Sequence, residues 1–248
     1  GHAPILEEDL AMANNSLDLI GQARLLYQYA AERMAGDVRA PRGAAWPAGS
    51  ITEDTLAYFR GDADFRNYVL LELPHTAGLV PAAGGERDWA VSLVRNFFYS
   101  ALMVGVWERL QHSADAHLAA IAAKSLKEVR YHLRHSRDWL VRLGDGTPES
   151  HRRAQAAVDY LLPFTEEFWS TSALEAEALD QGTGVDVPAL RAAWNQTVDE
   201  ALLEATLTRP ADTKRYVPEG KRGVHSEHLG YLLGEMQSLA RQHPGAIW

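Results

Sequence analysis

The chain of 248 residues contains no cysteine. That absence excludes disulfides, thiolate metal sites, iron–sulfur clusters and cysteine nucleophiles. Positive charge is also scarce: 24 Lys and Arg stand against 33 Asp and Glu, a formal net charge of -9. This balance argues against a general nucleic-acid binder and against attraction to an anionic membrane, leaving room only for a local basic patch. No apolar run approaches the roughly 20 residues of a membrane span, and no signal peptide is recognised, so a cytoplasmic location is expected. Several catalytic signatures are missing as well: Gly-x-Ser-x-Gly, a Gly-rich phosphate loop and His-Glu-x-x-His. There is no convincing β alternation, internal repeat or composition break. One all-α domain over 1–248 is therefore expected.

What the chain does contain is helical periodicity. Leu6, Leu10, Ala13, Leu17, Ile20, Ala23, Tyr27, Ala30 and Met34 recur in steps of three and four, predicting a first long helix. Residues 37–50 read as loop, followed by capping-box spacing at Ser50 to Glu53, a short helix to Phe59 and a further helix from Asp62 to Leu73. Residues 79–85 again read as loop. A connection this long suits a crossover running the length of a bundle. A second long helix is predicted from Glu86 to about Gln111, and a third from Asp115 to about Leu143. A fourth opens at Thr147-Pro148 and runs to about Trp169, with a kink at Pro163. Additional C-terminal helices follow, one opening at Asp186-Val187-Pro188 and a last one after His225-Ser226-Glu227-His228.

The stretch Lys124 to His135 organises the chemistry. Glu128 and His132 are four apart and share one helix face, as half of a metal site would. Long helices, a long crossover and inward acids suggest a ferritin-like bundle. Its di-iron site needs a Glu from each of two helices and Glu-x-x-His from each of the other two. No Glu-x-x-His occurs on the predicted long helices; the one in the chain, Glu72 to His75, spans Pro74. Tyr131 holds the third place after Glu128, and His132 is rotated about 100° further round. The first helix offers Asp9, Asn14 and Asp18, and the second offers Ser100, which cannot complete a carboxylate–histidine cage. Three readings of Glu128 and His132 stay open: a structural polar network, which is favoured, the remnant of a lost metal site, or a working one. His225, Glu227 and His228, with Lys221 and Arg222, could contact an anion, but solvated side chains at a helix N-terminus are the favoured reading.

Several blocks carry a family resemblance. They are Gly1 to Glu7, Leu17 to Arg24, Ala119 to Ser136, Arg142 to Thr147 and His225 to Gly230. Together they resemble the C subunits of phenylacetyl-CoA epoxidases, multicomponent monooxygenases of aerobic phenylacetate degradation. The resemblance implies a ferritin-like helical bundle with additional C-terminal helices and a long crossover. It further implies a structural, non-catalytic subunit with no cofactor of its own, paired with a homologous catalytic subunit that holds the di-iron. Reductase and small accessory subunits are the remaining parts of such a complex. Phenylacetyl-CoA at the subunit interface would be bordered here by Asp64, Phe65, Arg66 and Asn67, and by Ala176, Glu177 and Ala178. The degenerate metal-site positions would be Asp18, Ser100, Glu128, Tyr131 and His132, with Ser100 standing where relatives tend to carry an acid. Relatives usually begin about 25 residues earlier, with a helix that forms part of the bundle and is missing from 1–248. Two alternatives remain: a metal-dependent oxidase or hydrolase using Glu128, His132 and Asp18, or a stand-alone CoA-ester binding module.

Overall fold

The computed structural model describes residues 3–35, 51–76, 88–211 and 219–246. Among these residues there is no strand. The fold is all-α, a helical bundle of ferritin-like type with C-terminal helices and a long crossover between its first two long helices. The helices are α1 (Leu6–Ala35), α2 (Glu53–Tyr58), α3 (Trp89–Leu110), α4 (Ala116–Gly144), α5 (Pro148–Leu161), α6 (Ala173–Asp180), α7 (Arg191–Glu204) and α8 (His228–Gln242). The loops expected at 37–50 and 79–85 lie outside the described residues. The chain groups into two compact units, one of residues 1–16 and 74–217, the other of residues 17–73 and 218–248.

In the first unit α3, α4, α5 and α7 pack on one another. The sequence reading found no apolar run of membrane-spanning length. This needs correction: α3 is long and apolar enough by composition to cross a membrane. Val91, Leu93, Val94, Phe97, Phe98 and Leu102 of α3 are all buried, so its apolarity fills a protein core. Trp194 of α7 anchors that core. Its ring lies 5.7 Å from Phe98 and 5.4 Å from Trp169, and its indole N–H donates to the Phe98 carbonyl at 3.0 Å. The helix starts follow capping chemistry. Asp115 accepts from the backbone N–H groups of His117 and Leu118 at 2.9 and 3.1 Å, and Thr147 forms a capping box with Ser150 ahead of Pro148. The expected kink at Pro163 takes another form. α5 stops at Leu161, and residues 162–169 continue as 3-10 helix, since Pro163 has no N–H for an α-helical bond.

The second unit holds the remainder of α1 with α2 and α8. Its six-residue helix α2 is too short to persist by itself. Its N-cap is Thr52, paired with Thr55, rather than the Ser50 expected from the sequence. At its other end the carbonyls left over by the helix are satisfied from α8. Gln237 donates to Ala57 and Arg60 carbonyls at 3.0 Å each, and Arg241 donates to those of Tyr58 and Arg60 at 3.0 and 2.8 Å. The helix expected over Asp62 to Leu73 is replaced by two 3-10 turns, Asp62–Asp64 and Val69–Leu71, with Phe65 extended between them. Side-chain-to-backbone bonds compete with the helix here: Asp62 accepts from the Ala63 N–H, and Arg66 donates to the Ala63 carbonyl.

Candidate functional site

On α4 the inward register is set by Ser125, Val129, His132 and Ser136, all buried. His132 is only 4% exposed, and the Ser136 hydroxyl donates to its carbonyl at 2.7 Å. Glu128 is half-buried. Tyr131 turns outward, 41% exposed, with its ring stacked on that of His135 at 6.1 Å. Ser100 of α3 is buried in the same unit. Asp18 is half-buried on the part of α1 that belongs to the other unit.

A largely buried polar pair linking two helices of this unit lies one turn further along the seam. His135 Nε2 lies 2.9 Å from Glu8 Oε2 of α1, and both side chains are 11% exposed. His135 Nδ1 is buried without a hydrogen-bond partner. A proton there would be an orphaned donor, so the ring is assigned as the Nε2–H tautomer donating to Glu8. The two residues are 127 positions apart, which hides the pair from any search for local motifs. A ferritin-like fold raises the question of di-iron, and this donor set does not fit it. Tyr131 faces out where a histidine would be needed, and Ser100 offers a hydroxyl in place of a carboxylate. Among the described residues no three His, Asp or Glu side chains cluster closely enough to hold a metal ion.

The second unit contains a denser polar centre built on Glu72, whose side chain is 1% exposed. Glu72 Oε1 accepts from Asn67 Nδ2 and from His225 Nδ1, both at 2.7 Å. Its Oε2 accepts from the backbone N–H and the hydroxyl of Ser226, both at 2.8 Å. His225 Nε2 faces the Phe65 carbonyl at 3.2 Å. Both ring nitrogens therefore face oxygen atoms. This corrects the expectation that His225 is a solvated helix-terminal side chain, since it is 8% exposed and turned inward. Glu72 itself was missed. The available signal was a lone carboxylate inside the apolar run Leu70-Leu71-Glu72-Leu73, which only convergent donors can make tolerable.

Of the expected substrate-bordering residues, Asp64 and Arg66 are exposed and Phe65 and Asn67 half-buried, all in this unit. Arg66 Nη1 is turned onto the Ala63 and Phe65 carbonyls at 2.6 Å each. The Phe65 ring stacks on the Arg60 guanidinium at 4.3 Å and helps line an open cavity of about 450 Å³ with Ile20, Tyr27, Tyr58 and Met236. Ala176, Glu177 and Ala178 belong to α6 in the first unit. There the Ala178 carbonyl accepts from the Thr183 and Gly184 N–H groups at 2.9 and 2.8 Å, which ends the helix.

The fold and these sites define a class: an all-α helical-bundle protein whose buried carboxylate–histidine pairs join segments of its own chain. Comparison with known proteins gives the family. The model of the phenylacetic acid catabolic protein family matches residues 1–248, and the chain belongs to that family. It is 42% identical over 248 residues to the C subunit of the 1,2-phenylacetyl-CoA epoxidase of Escherichia coli (strain K12), spanning 100% of this chain and 90% of that protein.

Proposed function

We propose that the chain is the structural subunit of a multicomponent phenylacetyl-CoA epoxidase, a cytoplasmic partner that stabilises the di-iron catalytic subunit. In this reading residues 1–248 act as one ferritin-like domain without catalytic residues of its own. The segments 64–67 and 176–178 border the CoA thioester, and the assembly is completed by a reductase and a small accessory subunit. The observation that carries the reading is the 42% identity to an epoxidase C subunit along the entire chain. The donor set on α4 supports it, because a subunit that leaves the chemistry to its partner has no need for a complete carboxylate–histidine cage.

Co-expression with the catalytic subunit of the same organism, followed by size-exclusion chromatography, tests the pairing. One stable heteromeric peak is expected, and two independent peaks overturn the proposal. Elemental analysis of the isolated chain tests the division of labour: stoichiometric iron or manganese that disappears in Glu128→Ala would make this chain an enzyme in its own right.

A further inference from the structure

We infer that Glu72 is a positioning residue for the substrate-bordering segment, setting the shape of residues 65–67 before any thioester arrives. The inference rests on the reading that this segment borders the CoA ester. Three restraints converge on it, two of them through one carboxylate oxygen. Glu72 Oε1 holds the Asn67 amide at 2.7 Å. Through His225, the same carboxylate reaches the Phe65 carbonyl, by contacts of 2.7 and 3.2 Å. The turn before His225 closes the third side. A Cβ on Gly220 would collide with the Asn67 carbonyl, and one on Gly223, at φ +82°, would lie 2.8 Å from Arg66 Nη1.

The chemistry separates positioning from binding. A carboxylate has about four acceptor sites. Those of Glu72 are taken by the Asn67 amide, the His225 ring, and the Ser226 N–H and hydroxyl. No lone pair remains for a ligand, and at 1% exposure none could reach it. Its effect on a substrate must pass through residues 65–67, by the Asn67 side chain and the Phe65 carbonyl. Preorganisation of this kind removes the ordering cost of a binding loop, so its loss is felt in affinity rather than in the chemical step.

The test uses the reconstituted epoxidase complex with phenylacetyl-CoA as substrate. Glu72→Gln keeps the shape but turns an amide N–H toward donors. It should raise KM about tenfold or more, with kcat within about twofold and the complex intact. Where Glu72→Gln fails to assemble, Ser226→Ala replaces it, removing one donor and leaving the backbone bond. It should raise KM about two- to threefold, and Ser226→Thr, which keeps the hydroxyl, should restore it. Phe65→Ala reports on the underlying reading. Should Phe65→Ala raise KM while Glu72→Gln and Ser226→Ala leave it unchanged, the positioning role is overturned. Should none of the three alter KM in an assembled complex, the substrate-bordering reading itself falls and takes the inference with it.

Discussion

Replacing Gly144 by alanine should destabilise the protein although it improves helix propensity. Gly144 closes α4 where the end of α7 presses on it. A Cβ there would stand 2.8 Å from the Ala205 Cβ and 3.0 Å from the Ala205 carbonyl carbon, with the carbonyl oxygen closer still. Ordinary carbon contacts are about 3.5–4.0 Å, so α7 would have to withdraw by roughly 1 Å. Backbone cannot rotate away as a long side chain could. The Gly144 carbonyl is also held, accepting from His151 Nδ1 at 2.7 Å and from the Thr206 hydroxyl at 3.2 Å. Overpacking of this kind costs about 3 kcal/mol at the upper end of its usual range. The propensity gain from Gly to Ala returns about 1 kcal/mol. The net loss is about 2 kcal/mol, or a Tm lowered by roughly 4–8 °C in a chain of this size. The control is Gly234→Ala on α8, where nothing lies within 4 Å of the added methyl and the same change should stabilise by about 0.5–1 kcal/mol. Thermal unfolding followed by circular dichroism decides between them. Equal or higher Tm in Gly144→Ala would show that the packing argument at this crossing is wrong.

Two further outcomes follow from local chemistry. Asp115→Ala removes both bonds that cap α4, so a loss of about 1 kcal/mol in urea unfolding is expected, with Asp115→Asn or Asp115→Ser retaining most of the stability. Burial pushes the Tyr99 phenol up to about 12, so above pH 10 the unfolded chain releases its proton before the folded one does. Tyr99 therefore contributes stability that is complete below pH 10 and lost as pH rises towards 12, measured against an unfolded phenol at its ordinary value of 10.0. Tyr99→Phe should flatten this alkaline decline. Parallel stability curves for both proteins between about pH 9 and 12 would count against this assignment.

Helix positions were legible because each rests on local information. The Leu6 to Met34 periodicity, the Asp115 cap and Thr147-Pro148 all lie within a turn or two of the structure they specify. The stretch 62–73 was not legible in the same way. Phe65, Val69 and Leu73 have helical spacing, and Val69 and Leu73 are indeed buried, yet the chain reaches that burial by two 3-10 turns. Asp62, Arg66 and Asn67 each engage a neighbouring group that an α-helix would not present to them, and together they outweigh a sparse apolar stripe. In this stretch the competing polar side chains, more than the apolar spacing, decide the local backbone. Glu72 and His225, 153 positions apart, are a tertiary fact with no local trace except the cost each would carry unpartnered.

The seam on α4 shows how little shared spacing says about what stands opposite a helix face. A helix turns about 100° per residue, so i and i+4 side chains share a face, which makes Glu128 and His132 look like a pair. Sharing a face does not decide what stands opposite it. His132 points into the unit and is buried, whereas His135, three places on, meets Glu8 of another helix. A metal site needs several donors converging on one point, and a helix-to-helix tie needs a donor and an acceptor only. Glu8 and His135 supply the latter with one nitrogen to spare, and Glu72 with His225 does so with every acceptor site filled. Buried carboxylate beside histidine is thus compatible with either role. Counting the lone pairs that remain separates them: at Glu72 none is left to bind with, so what that residue contributes must be the shape of the segment it holds.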